Sequence, residues 1–71
     1  MTPAEIKAAR EALGLTQAQI APLLGYGSQS RIAEIEGGKK RAGPAVIRLL
    51  RAYLDGYRPS DWPMDTRNAT D

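Results

Sequence analysis

Only three residues, Gly25-Tyr26-Gly27, separate the apolar run that ends at Leu24 from the segment that opens at Ser28. Two helices joined this closely, through two glycines, have no room to fold back side by side and are suited instead to a sharp crossing. The first helix then covers one face of the second and leaves the other at the surface. In the second segment, Ile32 and Ile35 lie on one face at helical spacing. The opposite face carries Ser30, Ala33, Glu34 and Gly37. Such a face is small and polar, with almost nothing to bury.

The rest of the chain is punctuated in the same helical manner. Thr2-Pro3-Ala4-Glu5 has a hydroxyl at the N-cap, proline at N1 and glutamate at N3, and so reads as a capping box. The helix it opens places Ile6, Ala9 and Leu13 on one stripe and stops at Gly14. Thr16-Gln17-Ala18-Gln19 is a second box, opening a helix with Ile20, Leu23 and Leu24 that stops at Gly25. Pro22 falls inside it, where its ring deletes a backbone bond to the Ala18 carbonyl, so a kink or a tight first turn is expected. Ser28 is the N-cap of a third helix closed by Gly37-Gly38. Pro44 at N1 starts a fourth, running to about Leu54 before Gly56. No strand-like alternation occurs, and the expected fold is all-α, with four helices in one compact domain.

Composition narrows what such a domain can do. A chain of 71 residues buries only about 60% of its unfolded surface, leaving little room for a cleft beside a core. Histidine and cysteine are absent, which removes the commonest general base, every thiol nucleophile and the commonest metal ligands. No set of nucleophile, base and oxyanion donors can be assembled, so no enzyme and no cofactor are expected. No run long enough to cross a membrane and no apolar signal core is present, and a cytoplasmic protein is expected. Charge is unevenly spread. Residues 28–58 hold seven Lys or Arg against three acids, whereas residues 59–71 hold one Arg against three Asp. A basic middle is the footprint of a phosphate-binding surface, although a solvated basic face would look the same.

A short turn, a surface helix with a small polar face and a basic loop behind it together describe a helix-turn-helix whose second helix fits the major groove of DNA. The stretch "GLTQAQIAPLLGYGSQSRIAEIEGGKKR" resembles the Cro/repressor (XRE-type) helix-turn-helix domains of phage and bacterial regulators. Leu15-Thr16-Gln17, Ile20-Ala21 with Leu24-Gly25, Ile32, and Glu36 followed by Gly38 carry the resemblance, which covers roughly residues 5 to 55. It implies a lambda-repressor-like fold, with a fifth helix in many relatives, and sequence-specific binding to double-stranded DNA, usually as a homodimer on a near-palindromic operator. Three departures stand out: the turn "GYGS" is one residue longer than usual, Pro22 falls inside the second helix, and the chain turns polar after Gly56.

On this reading residues 1–56 form the DNA-binding domain and residues 57–71 a polar tail, of which "MDTRNATD" reads as disordered. Gln29, Ser30, Ala33 and Glu34 are the candidate base contacts. Gln29 has the geometry for adenine, and Glu34 is compatible with DNA only as an acceptor from cytosine. Thr16, Gln17, Ser28, Arg31, Lys39, Lys40 and Arg41 are the candidate phosphate contacts. The role of Gln17 is implied by the resemblance, supported by the free amides at a helix start. Arg10 and Glu36 each sit inside an apolar stripe, about 40° around the helix from Ile6 and Ile32 respectively. Charges there are rarely left unpaired, so the two are expected to meet, as the resemblance also implies.

The fourth helix has an apolar face spanning about 160°, wider than so small a core requires. Ile47, Leu50 and Leu54 are assigned to the core. Val46, Leu49 and Tyr53 are assigned, with Tyr57 and Trp62, to a dimer interface; the alternative is that Tyr57 and Trp62 fold back onto their own domain. Two functional classes fit this pattern. The first is a DNA-binding transcriptional regulator, a repressor with no evident small-molecule effector. The second is a protein-interaction module, antitoxin-like or adaptor, built on the same fold.

Overall fold

The computed structural model describes residues 1–63 and contains four helices in chain order: α1 (Pro3–Ala12), α2 (Gln17–Leu23), α3 (Gln29–Glu36) and α4 (Pro44–Leu54). No strand occurs among the described residues, so the fold is all-α. No fifth helix forms through residue 63. The segment read as a disordered tail, residues 64–71, lies outside the described residues. Among those residues no helix is long and apolar enough to cross a membrane.

Local chemistry starts and stops each helix. The Thr2 and Thr16 hydroxyls accept from the backbone N–H of Glu5 and Gln19, and those side chains return a bond to the threonine backbone. Both are complete capping boxes. All four helices end in a Schellman arrangement, in which one N–H reaches back five residues and the preceding N–H reaches back three. At α2, Tyr26 N–H donates to Ala21 O at 2.9 Å and Gly25 N–H to Pro22 O at 3.1 Å. This geometry puts Gly25 at φ 85°, a backbone conformation that a side chain would strain. The turn into α3 therefore has a defined shape.

Pro22 neither ends α2 nor delays its start. The helix runs through it to Leu23. Pro22 and Ala18 are both exposed, so the carbonyl that loses its intrahelical donor is left to water, and the cost is smaller than in a buried helix interior.

The core is drawn from all four helices and from Leu15 in the first loop. Ile20 from α2, Ile32 from α3 and Leu50 from α4 are the largest side chains removed almost entirely from water. They are joined by Ile6, Ala21, Leu23, Leu24 and Ile35. α3 packs on both α2 and α1, and α4 packs on α1. Each short helix is marginal alone, and its stability comes from this shared burial.

Candidate nucleic-acid interface

α3 is held from behind by two nearly buried isoleucines, Ile32 and Ile35. Its remaining residues divide by face. Gln29, Ser30, Arg31 and Ala33 are exposed and Glu34 is partly so. Ser28 occupies the N-cap position with extended backbone, but its hydroxyl makes no capping bond. The first amides of α3 thus lack the side-chain acceptor that α1 and α2 have at the same place.

A polar network fixes the orientation of α3. Arg10 Nε donates to Glu36 Oε2 at 2.6 Å, and Arg10 Nη2 donates to Glu36 Oε1 at 3.1 Å. The third nitrogen, Nη1, donates to the Leu15 carbonyl at 2.9 Å. The guanidinium therefore ties together α1, the first loop and α3. The pair is largely shielded, with the Arg10 side chain 12% and the Glu36 side chain 5% exposed. Burial alone would raise the Glu36 carboxyl, but the hydrogen bonds from Arg10 and Gln17 and the charge of Arg10 hold it below the usual carboxylate range.

Gln17 has a role that the sequence did not show. Its side-chain amide donates one N–H to Glu36 Oε1 at 3.1 Å, which leaves its second N–H for another acceptor. A bidentate arginine leaves the carboxylate with unused lone pairs, and Gln17 in the first turn of α2 is within reach of one. Its observed place is in the network that sets the angle between α2 and α3. Thr16 is exposed, and its hydroxyl oxygen accepts the capping bond of α2.

Beyond α3, the backbone N–H groups of Lys39 and Lys40 both donate to Glu34 O, at 2.8 and 3.3 Å. The loop backbone is thereby fastened to the end of the helix, while Lys39, Lys40 and Arg41 are exposed. None of the three is in an ion pair among the described residues. A small polar helical face and three cations thus occur on one continuous stretch of chain.

Residues 4–55 match the family model described as a helix-turn-helix domain. That span covers well over half of the chain and contains nearly all of α1, then α2 and α3 with the turn between them, the basic loop and all of α4. The chain belongs to the helix-turn-helix domain family. No similar curated protein and no similar solved structure was found. A helix-turn-helix domain is a DNA-binding module, and in this one α2 and α3 are the two helices joined by the short turn.

Two features of the helix-turn-helix domain were not anticipated from sequence. Tyr26, in the turn itself, lies beneath Arg31, with the guanidinium carbon 5.8 Å from the ring centroid. Arg31 Nε also approaches Glu34 Oε1 at 3.4 Å. The only sequence signal was an aromatic residue in a tight turn next to a helix with an arginine in its first turn. The second feature is Arg58, whose Nη1 donates to the carbonyls of Tyr53 and Tyr57 at the end of α4, and whose guanidinium carbon sits 4.3 Å from the Trp62 ring centroid.

The dimer surface assigned from sequence also needs correction. Tyr53 is 2% exposed, and its hydroxyl donates to the Leu23 carbonyl at 3.0 Å, joining α4 to the end of α2. It is a core residue. Val46 and Leu49 are partly buried and pack against the same core. Leu54, assigned to the core, is 44% exposed. The helix is rotated from the expected setting because a buried phenol must find an acceptor, and the last turn of α2 supplies one. Trp62 meets Tyr53 edge-on at 5.1 Å, and Tyr57 stacks on Tyr53 at 5.9 Å while remaining 53% exposed. Trp62 folds back onto its own domain.

Proposed function

We propose that this protein is a transcriptional repressor that occupies a near-palindromic operator as a homodimer, with α3 in the major groove. The observation that carries the reading is the solvent face of α3: small and polar where it is exposed, packed on the core where it is buried, and continuous with an exposed basic loop. Gln29, Ser30, Ala33 and Glu34 are the proposed base-facing residues. Ser28, Arg31, Lys39, Lys40 and Arg41 are the proposed phosphate contacts. Thr16 stays among them through its remaining O–H, and Gln17 through the amide N–H that Glu36 does not take. Residues 1–56 are the proposed DNA-binding unit. Repression by occupancy in the cytoplasm, without an effector, is part of the same proposal.

Base reading and backbone holding respond differently to mutation, and this gives the test. Gln29→Ala is expected to weaken the preferred operator by about 1–3 kcal/mol for each half-site contacted, and random duplex much less. Lys40→Ala is expected to weaken both DNAs alike and to flatten log affinity against log salt by about one unit per contact removed. Equal losses on operator and random DNA for Gln29→Ala would remove that residue from readout. Affinity insensitive to salt would favour the protein-interaction reading instead.

The proposed dimer is best served by the apolar side chains that α4 leaves outside the core, Leu54 and the partly buried Ile47. Leu54→Glu is expected to leave a folded monomer, since the side chain already faces water. Sedimentation equilibrium checks this; an unchanged dimer mass would exclude the surface.

A further inference from the structure

The charges on the exposed side of α3 are arranged against the stability of the helix. Arg31 lies in the first turn, where the helix dipole disfavours a cation, and Glu34 lies toward the C-terminal end, where it disfavours an anion. The order Arg then Glu is the weaker orientation for a pair on one helix. Glu36, at the same end, is compensated by Arg10 and Gln17. Among the described residues Glu34 has only Arg31, at 3.4 Å, with both side chains substantially exposed. A surface pair of this kind contributes little to folding. A carboxylate on a face that approaches DNA is also repelled by phosphates. Both considerations disfavour glutamate at this position unless the anion has a specific partner.

The geometry suits such a partner. Arg31 rests over the Tyr26 ring and meets Glu34 Oε1 at 3.4 Å, and neither carboxylate oxygen accepts a side-chain hydrogen bond among the described residues. The neighbouring outer-face positions, Ser30, Ala33 and Gly37, are exposed and small, which permits close approach to base edges. Among the bases, cytosine alone presents in the major groove an amino donor without an adjacent acceptor, and a carboxylate is its natural acceptor. Resting on the DNA-binding reading above, we infer that Tyr26, Arg31 and Glu34 form a pre-set arm in which Glu34 reads a cytosine N4 amino group, making a C·G pair obligatory at one position of each half-site. Arg31 is a positioning residue for the carboxylate and neutralises it against the nearby phosphates.

The experiment is selection of bound sites from random duplexes by the full chain and by Glu34→Ala, Glu34→Gln and Arg31→Ala, with circular dichroism confirming that each remains helical. The parent should select cytosine at one fixed position per half-site, by about tenfold over other bases. Glu34→Ala should flatten that position alone. Glu34→Gln should move it toward adenine, because an amide both donates and accepts. Arg31→Ala should lower affinity for all sequences and weaken, without redirecting, the cytosine preference. An unchanged preference profile in Glu34→Ala, with uniformly tighter binding from removal of a repelling charge, would overturn the inference while leaving DNA binding intact. Absence of salt-dependent duplex binding by the parent would instead overturn the functional reading on which it rests.

Discussion

Arg10→Met is expected to destabilise the domain by about 3–5 kcal/mol, because it strands the shielded Glu36 carboxylate without its cation. The Glu36 side chain is only 5% exposed, so water cannot take over. Gln17 would remain as one neutral donor, insufficient for a full negative charge. Replacing Arg10 and Glu36 together by apolar residues should recover much of the loss, since the desolvation penalty disappears with the charge. Thermal denaturation of the two single variants and the double variant checks this. Additive losses would mean that the pair is not energetically coupled.

The same pair sets an acid limit. The folded Glu36 carboxyl is held below its ordinary range, so the unfolded chain binds a proton more readily than the folded one. The stabilisation is therefore complete above the ordinary glutamate value, about 4.3, and is lost as pH falls from there through the folded value. Near neutrality stability should not respond to this group. In the Arg10→Met variant the dependence should reverse: an unpaired buried carboxylate is relieved by protonation, so mild acid should stabilise that variant.

Leu50→Ala is expected to cost about 2–5 kcal/mol, the range for deleting a fully buried leucine side chain. Leu54→Ala, one turn further along the same helix, should cost under about 1 kcal/mol, since exposed surface substitutions rarely exceed half of that. Leu50 is 0% exposed and Leu54 44% exposed. From periodicity both belong to one core flank, and the contrast therefore tests the rotation of α4 directly. Denaturant midpoints at constant slope give the comparison. Equal losses would restore the orientation expected from sequence and return Val46, Leu49 and Tyr53 to the surface.

What could be read without tertiary information is the local chemistry. The capping boxes at Thr2 and Thr16, the prolines at N1 of α1 and α4, and the glycines that take the left-handed position after each helix are decided within one or two turns of chain. Helix number, order and the short crossing from α2 to α3 follow from them. So does the composition of the exposed side of α3, because burying Ile32 and Ile35 leaves no other residues to face outward. The meeting of Arg10 with Glu36 was also legible, since each charge lay inside an apolar stripe and a buried charge requires a partner.

Tertiary structure decided whatever depended on which neighbour offered a hydrogen bond. The α4 apolar arc is wider than its core contact, so periodicity admits two settings of the helix. The Leu23 carbonyl, accepting from the Tyr53 hydroxyl, selects between them. Gln17 carries equal chemistry for a phosphate and for a carboxylate, and the spare lone pairs of Glu36, 19 residues away in sequence, claimed it. Tyr26 became the rest for Arg31 only because the turn delivers its ring beside the first turn of α3. The sequence by itself determined where helices begin and end and which faces are apolar, because those follow from neighbours along the chain. The rotation of α4 and the partners of Gln17 and Arg31 rest on single polar contacts across the fold, for which a one-dimensional pattern contains no distance.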